Sequence, residues 1–332
     1  MKQAFEANVF GRAIWRLMGL VAGVAVALGV AAQDFPSRPV TIVVGYAPGG
    51  SNDIMARNVQ AKLSDRLGVP VIVENRPGAD GMIGSGFVAK AAPDGYTLLL
   101  TWDAHVVNSI VRKDIAYDIF KDFTPVTLLG RFPLVLVASN DLPVDDVKQL
   151  IALAKREPGK LSFASVGAAS STRLHAENLV RLAGINAFHV PYKGAGPSVV
   201  AVMRGEVSFS FLSYAAIRGQ LDAGKIKALA VTGANRLPEL PKVATMAESG
   251  YPDSQGYSWI GIFAPAGTPQ AVVSRLNKEF RAALADAEVE KKVSASGVEI
   301  IGSPPSDLDR YVRAEYDKWS RFVERTNLTF AQ

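Results

Sequence analysis

Two short loops rich in glycine and serine carry the clearest chemical signal in the sequence. The first follows the apolar run VTIVV at 40–44 and reads GYAPGGSND over 45–53. Gly49 and Gly50 remove the side chains that would keep a ligand from the backbone, and Pro48 stiffens the approach. The Ser-Asn-Asp cluster can cap a helix, whose first turn has unpaired N–H groups and a positive dipole end. The loop therefore predicts a site for an anion such as a carboxylate or a phosphate.

A second loop repeats this pattern after the apolar run LSFAS at 161–165. Small residues and hydroxyls replace the glycine pair in its sequence, VGAASST over 166–172. Either loop alone could be a helix cap and nothing more. Ligands of doubly wound sheets bind beyond the carboxyl ends of the strands. A loop of this kind in each half of the chain therefore favours two half-sites that face each other across a cleft.

The sequence contains none of the common motifs for nucleotide binding or nucleophilic catalysis. No GK[ST] follows a glycine-rich turn, no G-x-S-x-G elbow is present, and the G-x-G-x-x-G order is missing. The chain has no cysteine, which excludes disulfides, thiolate catalysis and cysteine-bound metals. We therefore predict a protein that is not an enzyme and that needs no cofactor or metal. A pairing of Ser170 with His175 remains open for an exported hydrolase, although no acid that would orient it is apparent.

The three histidines show no paired metal-ligand spacing. His175 lies one turn into the helix after the second loop, where it could line a cleft or lie on the helix surface. His105 follows a strand and could point into the same cleft. His189 alternates with apolar neighbours, which is typical of a structural residue.

Strand-like and helix-like segments alternate along the chain, and most strand candidates are continuous apolar runs. Such runs are typical of strands covered by helices on both faces, so the sequence predicts an α/β fold with parallel sheets. We expect two domains, domain I from 33–131 plus 258–332 and domain II from 132–257. The chain would cross between them twice, near 131–134 and near 256–259.

The first 32 residues have the features of a secretory signal peptide. Lys2, Arg12 and Arg16 outnumber the one acid in a basic start, an uncharged apolar run covers 17–30, and small residues follow. A membrane anchor is the alternative, but the run is shorter than the roughly 20 residues that a span needs. We therefore expect residues 1–32 to be removed and the mature protein to be periplasmic. The formal net charge of +5 is too mild to indicate nucleic-acid binding.

Five segments, in order along the chain, resemble one known family. They are FPSRPVTIVVGYAPGGSNDIMAR, VIVENRPGADGMIGSGFVAKAAPDGYTLLLT, VPYKGAGPSVVAVMRGEV, LDAGKIKALAVTG and IFAPAGTPQAVVSRLN. The resemblance covers about 34–328 and is to the Bug-type substrate-binding proteins, the extracytoplasmic receptors of tripartite tricarboxylate transporters. It implies a two-domain periplasmic binding protein fold, type II-like, in which each domain has a mixed, mainly parallel sheet flanked by helices.

The resemblance also implies a function. Such receptors close two lobes on a small organic acid, in the manner of a Venus flytrap, and deliver it to the membrane permease subunits of the transporter. No nucleic-acid partner is implied, and we expect a monomer. A receptor that instructs a signalling system is an alternative that the sequence does not separate from transport.

In this family one ligand carboxylate is typically held by the two strand–loop–helix units, partly through ordered water. The matching segments here are 46–53, 165–172 and, near the cleft, 191–197. The candidate ligand-binding residues are therefore Tyr46, Pro48, Gly49, Gly50, Ser51, Asp53, Trp102, His105, Ser165, Gly167, Ala168, Ser170, Ser171, Thr172, His175, Tyr192, Lys193, Gly194 and Ser213. We expect Asp53 to cap the helix or to orient the loop amides, because a carboxylate repels an anion. Lys193 could neutralise the ligand or be a solvated surface charge.

Two departures from the family pattern bear on the ligand. The family often has an aspartate after the phenylalanine of VSFSF, where this chain has Leu212, followed by Ser213. After TLLL the family usually has small polar residues, where this chain has Trp102 and Asp103. Trp102 could stack on a flat ligand or be a packing residue on the domain surface. Together the changes favour a less polar, aromatic carboxylate over an amino acid.

Overall fold

The computed structural model describes residues 35–326, so the signal peptide expected at 1–32 lies outside the described residues. The strands are β1 (Val40–Val44), β2 (Val71–Asn75), β3 (Thr97–Trp102), β4 (Phe123–Phe132), β5 (Leu134–Ser139), β6 (Leu161–Ser165), β7 (Ala187–Pro191), β8 (Phe209–Ser213), β9 (Ile226–Val231), β10 (Ser258–Pro265) and β11 (Glu299–Ile300). Residues 39–326 belong to one compact unit.

Helices follow most of these strands. They are α1 (Ser51–Leu67), α2 (Met82–Ala89), α3 (Ala104–Val111), α4 (Val147–Arg156), α5 (Ser171–Ala183), α6 (Ala195–Met203), α7 (Tyr214–Asp222), α8 (Gln270–Leu284), α9 (Ala287–Ser294) and α10 (Pro305–Thr326). Within the part of the chain that the structure describes, no helix is both long enough and apolar enough to cross a membrane.

The first sheet has six strands in the order β11-β4-β10-β3-β1-β2. β1 pairs in parallel with β2 and β3, whereas β10 runs antiparallel to β3 and β4. Successive residues of a strand point to opposite faces, and Leu98, Leu99 and Leu100 of β3 are all fully buried. Both faces of this strand are therefore covered, as its continuous apolar run predicted.

The second sheet has five strands in the order β7-β6-β8-β5-β9. β6 pairs in parallel with β7 and β8, and β5 runs antiparallel to β8 and β9. Every residue of β5 and of β6 is buried. In the first sheet β10 and β11 run against their neighbours, and in the second sheet β5 does. The prediction of mixed sheets flanked by helices is confirmed.

The chain passes between the sheets twice. β4 ends at Phe132 in the first sheet and β5 begins at Leu134 in the second. The return leads to Ser258, the first residue of β10. The crossings lie within the two segments expected from the sequence, while the boundaries of domains I and II stay a prediction.

The sequence pattern predicts no strand at β4, which contains Pro125. Proline cannot donate to a ladder and is found mainly at edges and bulges. Pro125 pairs with Phe263 of β10, directly beside a shift in register between the two strands. The irregular pairing accommodates the proline inside a sheet, and this pairing is a tertiary feature that the local sequence does not reveal.

The C-terminal helix α10 packs against elements that follow strands of both sheets. Trp319 of α10 is 4% exposed and lies in a buried cluster with Val107 of α3, Ala169 and Leu174. Its ring centroid is 5.6 Å from that of His175 in α5. Since α3 follows β3 and α5 follows β6, this cluster connects the two halves of the fold.

Replacing Trp319 with Ala should lower the free energy of unfolding by about 3–5 kcal/mol, because a large buried side chain is lost and a cavity remains. Urea denaturation followed by circular dichroism measures this change. Phe188→Ala is the matched control, since Phe188 is 53% exposed and its loss should cost less than about 1 kcal/mol. Equal effects of the two substitutions would contradict the packing role of Trp319.

Candidate functional site

The first loop connects β1 to α1 and places the helix start beyond the end of a parallel strand. Gly50 is the N-cap residue of α1 and provides no side-chain cap. Gly49 has a φ of +86°, a left-handed conformation that glycine adopts without steric cost. Pro48 is exposed at the tip of the loop. The first N–H groups of α1 are thus available to water or to an anion.

Asp53 fixes the first loop from inside, at 3% exposure. Its Oδ2 accepts hydrogen bonds of 3.0 Å from the Gly49 N–H and from Arg57 Nε. Its Oδ1 accepts one of 3.0 Å from Asn75 Nδ2, at the end of β2. Burial raises the pKa of this carboxyl, but the donors outweigh burial, and the pKa lies below its ordinary value. Of the two roles expected for Asp53, the structure shows the orientation of the loop backbone.

The second loop connects β6 to α5, and its hydroxyl groups determine its conformation. Ser170 is the N-cap residue of α5, and its Oγ accepts a first-turn N–H at 3.4 Å and donates to the Gly167 carbonyl at 2.7 Å. Ser165 donates to the same carbonyl at 2.7 Å. Thr172 Oγ1 accepts from a loop N–H at 3.1 Å. The Ala168 carbonyl accepts from a side chain of α5 at 3.0 Å.

Two buried polar side-chain atoms at the helix starts lack a hydrogen bond of good geometry to the described residues. Ser171, the first residue of α5, is 1% exposed, and its Oγ has no hydrogen bond of good geometry. Asn52, the second residue of α1, is 4% exposed, and its Oδ1 also lacks one. Buried polar atoms in folded proteins almost always have a partner. Asn52 Oδ1 therefore indicates that a water or a ligand group belongs beside the start of α1, whereas the Ser171 hydroxyl lies near the Asp103 carboxyl.

Hydrogen bonds cross between elements of the two sheets at these loops. Ser51 Oγ, at the first residue of α1, lies 3.0 Å from Oγ of Ser213, the N-cap residue of α7. The Ala169 N–H of the second loop donates to Asp80 Oδ2 at 3.3 Å, and Asp80 lies in the turn between β2 and α2. The structure thus brings Ser51 and Ser213 together and links the second loop to the first sheet.

Tyr46 and Trp102 form an aromatic pair beside the first loop. Their ring centroids are 5.3 Å apart, with an angle of 78° between the ring planes. Tyr46 Oη donates a hydrogen bond of 2.9 Å to the Asp80 carbonyl. Burial raises the pKa of Tyr46 well above its ordinary value, so the phenol is a neutral donor.

Asp103, next to Trp102, is buried where the chain returns to the first sheet. It is 1% exposed, and its Oδ2 accepts a hydrogen bond from Oγ of Ser258, the first residue of β10. Its Oδ1 has no hydrogen bond of good geometry, although the Ser171 hydroxyl lies near enough to lower its pKa. Burial outweighs these donors and raises the pKa of Asp103 to about 7.

The sequence allowed His105 to point into the cleft, but the structure buries it in the core of the first sheet. Its ring stacks on Tyr117 at 5.5 Å and meets Phe123 edge-on at 4.9 Å, between centroids. The Ser85 Oγ lies 3.4 Å from its Nδ1. Burial lowers the pKa of His105 to about 3, so the ring is neutral. These are the surroundings of a core residue.

His175 packs against the crossing segment and is not paired with Ser170. Both of its ring nitrogens lack hydrogen bonds to the described residues, and the side chain is 1% exposed. A Cβ added to Gly256 would lie 2.6 Å from His175 Cε1, so the ring fits directly against that glycine. Burial, with the charge of Lys318, lowers the pKa of His175 to about 3. The pair that the sequence left open for a hydrolase is therefore not formed.

The segment PYKGAGP contacts the second loop through its backbone. The Tyr192 N–H donates to the Ser165 carbonyl at 2.9 Å, and the Gly194 N–H donates to the Val166 carbonyl at 3.0 Å. Lys193 is exposed, as a solvated surface charge would be. This segment thus positions the second loop, and only its backbone role is visible in the geometry.

Sequence reasoning did not identify Asp80, Asn52 or Asp103 as candidates. Asp80 lies in PGADG, and an acid between two glycines was the available signal. Its contact is with Ala169, 89 positions further along the chain, which no local pattern reveals. In residues 35–326, no group of three histidines or acids is arranged to hold a metal ion.

The two mixed sheets, with helix starts converging at their loops, define an α/β binding protein. The chain matches the model of the tripartite tricarboxylate transporter family receptor over residues 55–328. It is 37% identical over 320 residues to the UPF0065 protein in the tcbD-tcbE intergenic region of Pseudomonas sp. (strain P51), with 94% of this chain and 95% of the relative covered. The chain therefore belongs to the tripartite tricarboxylate transporter receptor family, as its motifs implied.

Solved structures support the same assignment. The periplasmic binding protein BugD is 33% identical, with a TM-score of 0.83, and the match covers 89% of this chain and 99% of BugD. A protein of R. palustris solved with adipate is 35% identical, with a TM-score of 0.85, over 89% of this chain and 99% of that protein. The predicted fold of a periplasmic binding protein is confirmed.

Replacing Asp53 with Asn should destabilise the protein at pH 7 by about 1–3 kcal/mol, because a charged acceptor of three hydrogen bonds is lost. The folded-state pKa of Asp53 lies below the ordinary 3.8. Its contribution should therefore be fully present above about pH 4 and be lost as the pH falls through the lowered value. Urea unfolding of both proteins over this pH range measures the difference.

Asp222→Asn is the control for Asp53→Asn, because the Asp222 side chain is 69% exposed on α7. It removes the same charge and should change the free energy of unfolding by less than about 0.5 kcal/mol. A difference between wild type and Asp53→Asn that did not depend on pH would contradict the role assigned to the carboxylate.

Proposed function

We propose that this receptor binds one small organic acid between the first and second loops and delivers it to the membrane permease subunits of a tripartite tricarboxylate-type transporter. The observation that carries the proposal is the start of α1, which Gly50 leaves without a side-chain cap. A Cβ at Gly50 would meet only the Ala47 carbonyl oxygen, at 3.8 Å. Space and unpaired N–H groups together suit a carboxylate oxygen.

The opposite side of the proposed site contributes the start of α5. Ser171 places a buried hydroxyl there, near the Asp103 carboxyl, and Ser213 Oγ lies 3.0 Å from Ser51 Oγ of α1. Tyr46 and Trp102 provide an aromatic surface beside the first loop. The related protein solved with adipate supports an organic acid as the kind of ligand, and the ring of Trp102 keeps an aromatic acid among the candidates.

We infer that the two sheets belong to two lobes that open and close about the crossings near 131–134 and 256–259. The contact between Ser51 and Ser213, at 3.0 Å, joins a first-sheet helix to a second-sheet helix. Opening would separate these hydroxyls, and a bound ligand would favour the closed arrangement by contacting both sides.

We also propose that the protein binds its ligand without catalysing a reaction, and that it is located in the periplasm. Ser170 Oγ donates to the Gly167 carbonyl, and His175 is turned to Gly256, so no nucleophile is activated by this histidine. The signal-like segment at 1–32 and the likeness to BugD, a periplasmic binding protein, support export.

A thermal-shift screen of residues 33–332 should identify a carboxylic acid as the ligand. A ligand that binds only the folded state stabilises it by about 2.7 kcal/mol at a concentration of 100 Kd, so Tm should rise with concentration. The panel contains aliphatic di- and tricarboxylates, acidic amino acids and aromatic acids, each with its neutral amide as the control. A rise in Tm with the amides and not with the acids would contradict the proposal.

Replacing Gly50 with Val should weaken binding of an acid found in that screen by at least about tenfold, because a branched side chain would block access to the N–H groups of α1. The fold should remain intact, since the nearest atom to the new Cβ lies at 3.8 Å. Isothermal titration measures the affinity. Gly219→Val on α7, where a Cβ meets nothing within 4 Å, is the matched control, and unchanged affinity in Gly50→Val would mean that the loop is only a turn.

A further inference from the structure

The main chain of Asp80 is held firmly in a conformation that is unusual for an aspartate. Ala79 and Asp80 have φ values of +48° and +50°, in the left-handed region that most residues avoid. The Asp80 carbonyl accepts hydrogen bonds of 2.9 Å from Tyr46 Oη and of 2.9 Å from Asn108 Nδ2. These contacts from β1 and α3 fix the direction in which the Asp80 side chain leaves the turn.

The Asp80 side chain reaches across to the second loop. Its Oδ2 accepts a hydrogen bond of 3.3 Å from the Ala169 N–H. Its Oδ1 lies so close to Gly167 that a Cβ added to that glycine would be 2.1 Å away. The second loop therefore has room for this carboxylate only because residue 167 is glycine.

No basic side chain neutralises Asp80 at close range. Within residues 35–326, no lysine or arginine forms an ion pair with it, and Arg112, whose charge acts on it from further away, is bound to Asp114 at 2.8 Å. Burial raises the pKa of Asp80, while the Ala169 N–H and the Arg112 charge oppose that rise. The loop amide is thus the nearest donor to this carboxylate.

We propose that Asp80 is a specificity-determining residue that occupies the amide of the second loop in place of a second ligand carboxylate. The inference rests on the proposed function. The α1 start remains for one ligand carboxylate, whereas a second one near the second loop would meet a like charge and an amide already in use. The receptor therefore selects acids that have a single carboxylate. The other end of such a molecule is uncharged or carries a hydrogen-bond donor.

The test compares acids that differ only in the second carboxylate. Isothermal titration of the wild type uses hexanoate against adipate and benzoate against terephthalate, with 6-hydroxyhexanoate as a ligand that ends in a donor. In each pair of acids that binds, we expect the wild type to bind the monocarboxylate at least tenfold more tightly than the matching dicarboxylate. In Asp80→Asn the dicarboxylate should gain at least tenfold in affinity, while the monocarboxylate changes by less than threefold.

Two further variants make the comparison decisive. Asp80→Gly removes the carboxylate and suits the positive φ, so it replaces Asp80→Asn if that variant unfolds. Asp222→Asn removes an exposed charge on α7. It should leave the affinities for the monocarboxylate and for the dicarboxylate unchanged.

Each remaining outcome has one meaning. Equal affinity of the wild type for both members of a pair, or equal changes for both in Asp80→Asn, would overturn the inference. Equal losses would show that Asp80 only holds the two sides together, and equal gains would show that its charge repels every acid alike. Failure of every acid to bind the wild type and both Asp80 variants would overturn the proposed function itself, and the inference with it.

Discussion

The proposed binding site depends on unpaired N–H groups at helix starts that follow buried parallel strands. A helix always leaves its first N–H groups without intrahelical partners, and the order strand, loop, helix places them at one edge of a sheet. Here the starts of α1 and α7 come from different sheets and meet through Ser51 and Ser213. Gly50 leaves the start of α1 uncapped by a side chain. A site for an anion follows from the backbone more than from any charged side chain.

Such a site works only if its loops hold their shape without a ligand, and each loop has its own internal support. In the first loop, Asp53 accepts three hydrogen bonds, from a loop amide, from α1 and from β2. In the second, the hydroxyls of Ser165 and Ser170 converge on the Gly167 carbonyl. Buried polar groups that satisfy one another make a loop rigid, and a rigid loop loses little entropy when it binds.

Three buried or half-buried acids lie near the proposed anion site, where their negative charges would repel the ligand. Each acid has different hydrogen-bond or ion-pair partners. Asp53 is ionised and matched by Arg57. Asp103 has a pKa raised by burial to about 7 and a hydroxyl donor in Ser258. Asp80 has only a loop amide from the other side of the site. The charge nearest to the second loop is therefore negative, and this is the basis of the proposed selectivity for the far end of the ligand.

The sequence by itself determined the α/β class, most strands, the two loops and the family, because apolar runs, glycine pairs and motif order are local patterns. It missed β4, since Pro125 fits a sheet only through an irregular pairing with β10. It also allowed His105 to point into the cleft, whereas aromatic rings from distant segments enclose this side chain. Only the tertiary structure decided that Ser51 meets Ser213, 162 positions away, and that Asp80 reaches Ala169, because such contacts arise from the docking of whole elements.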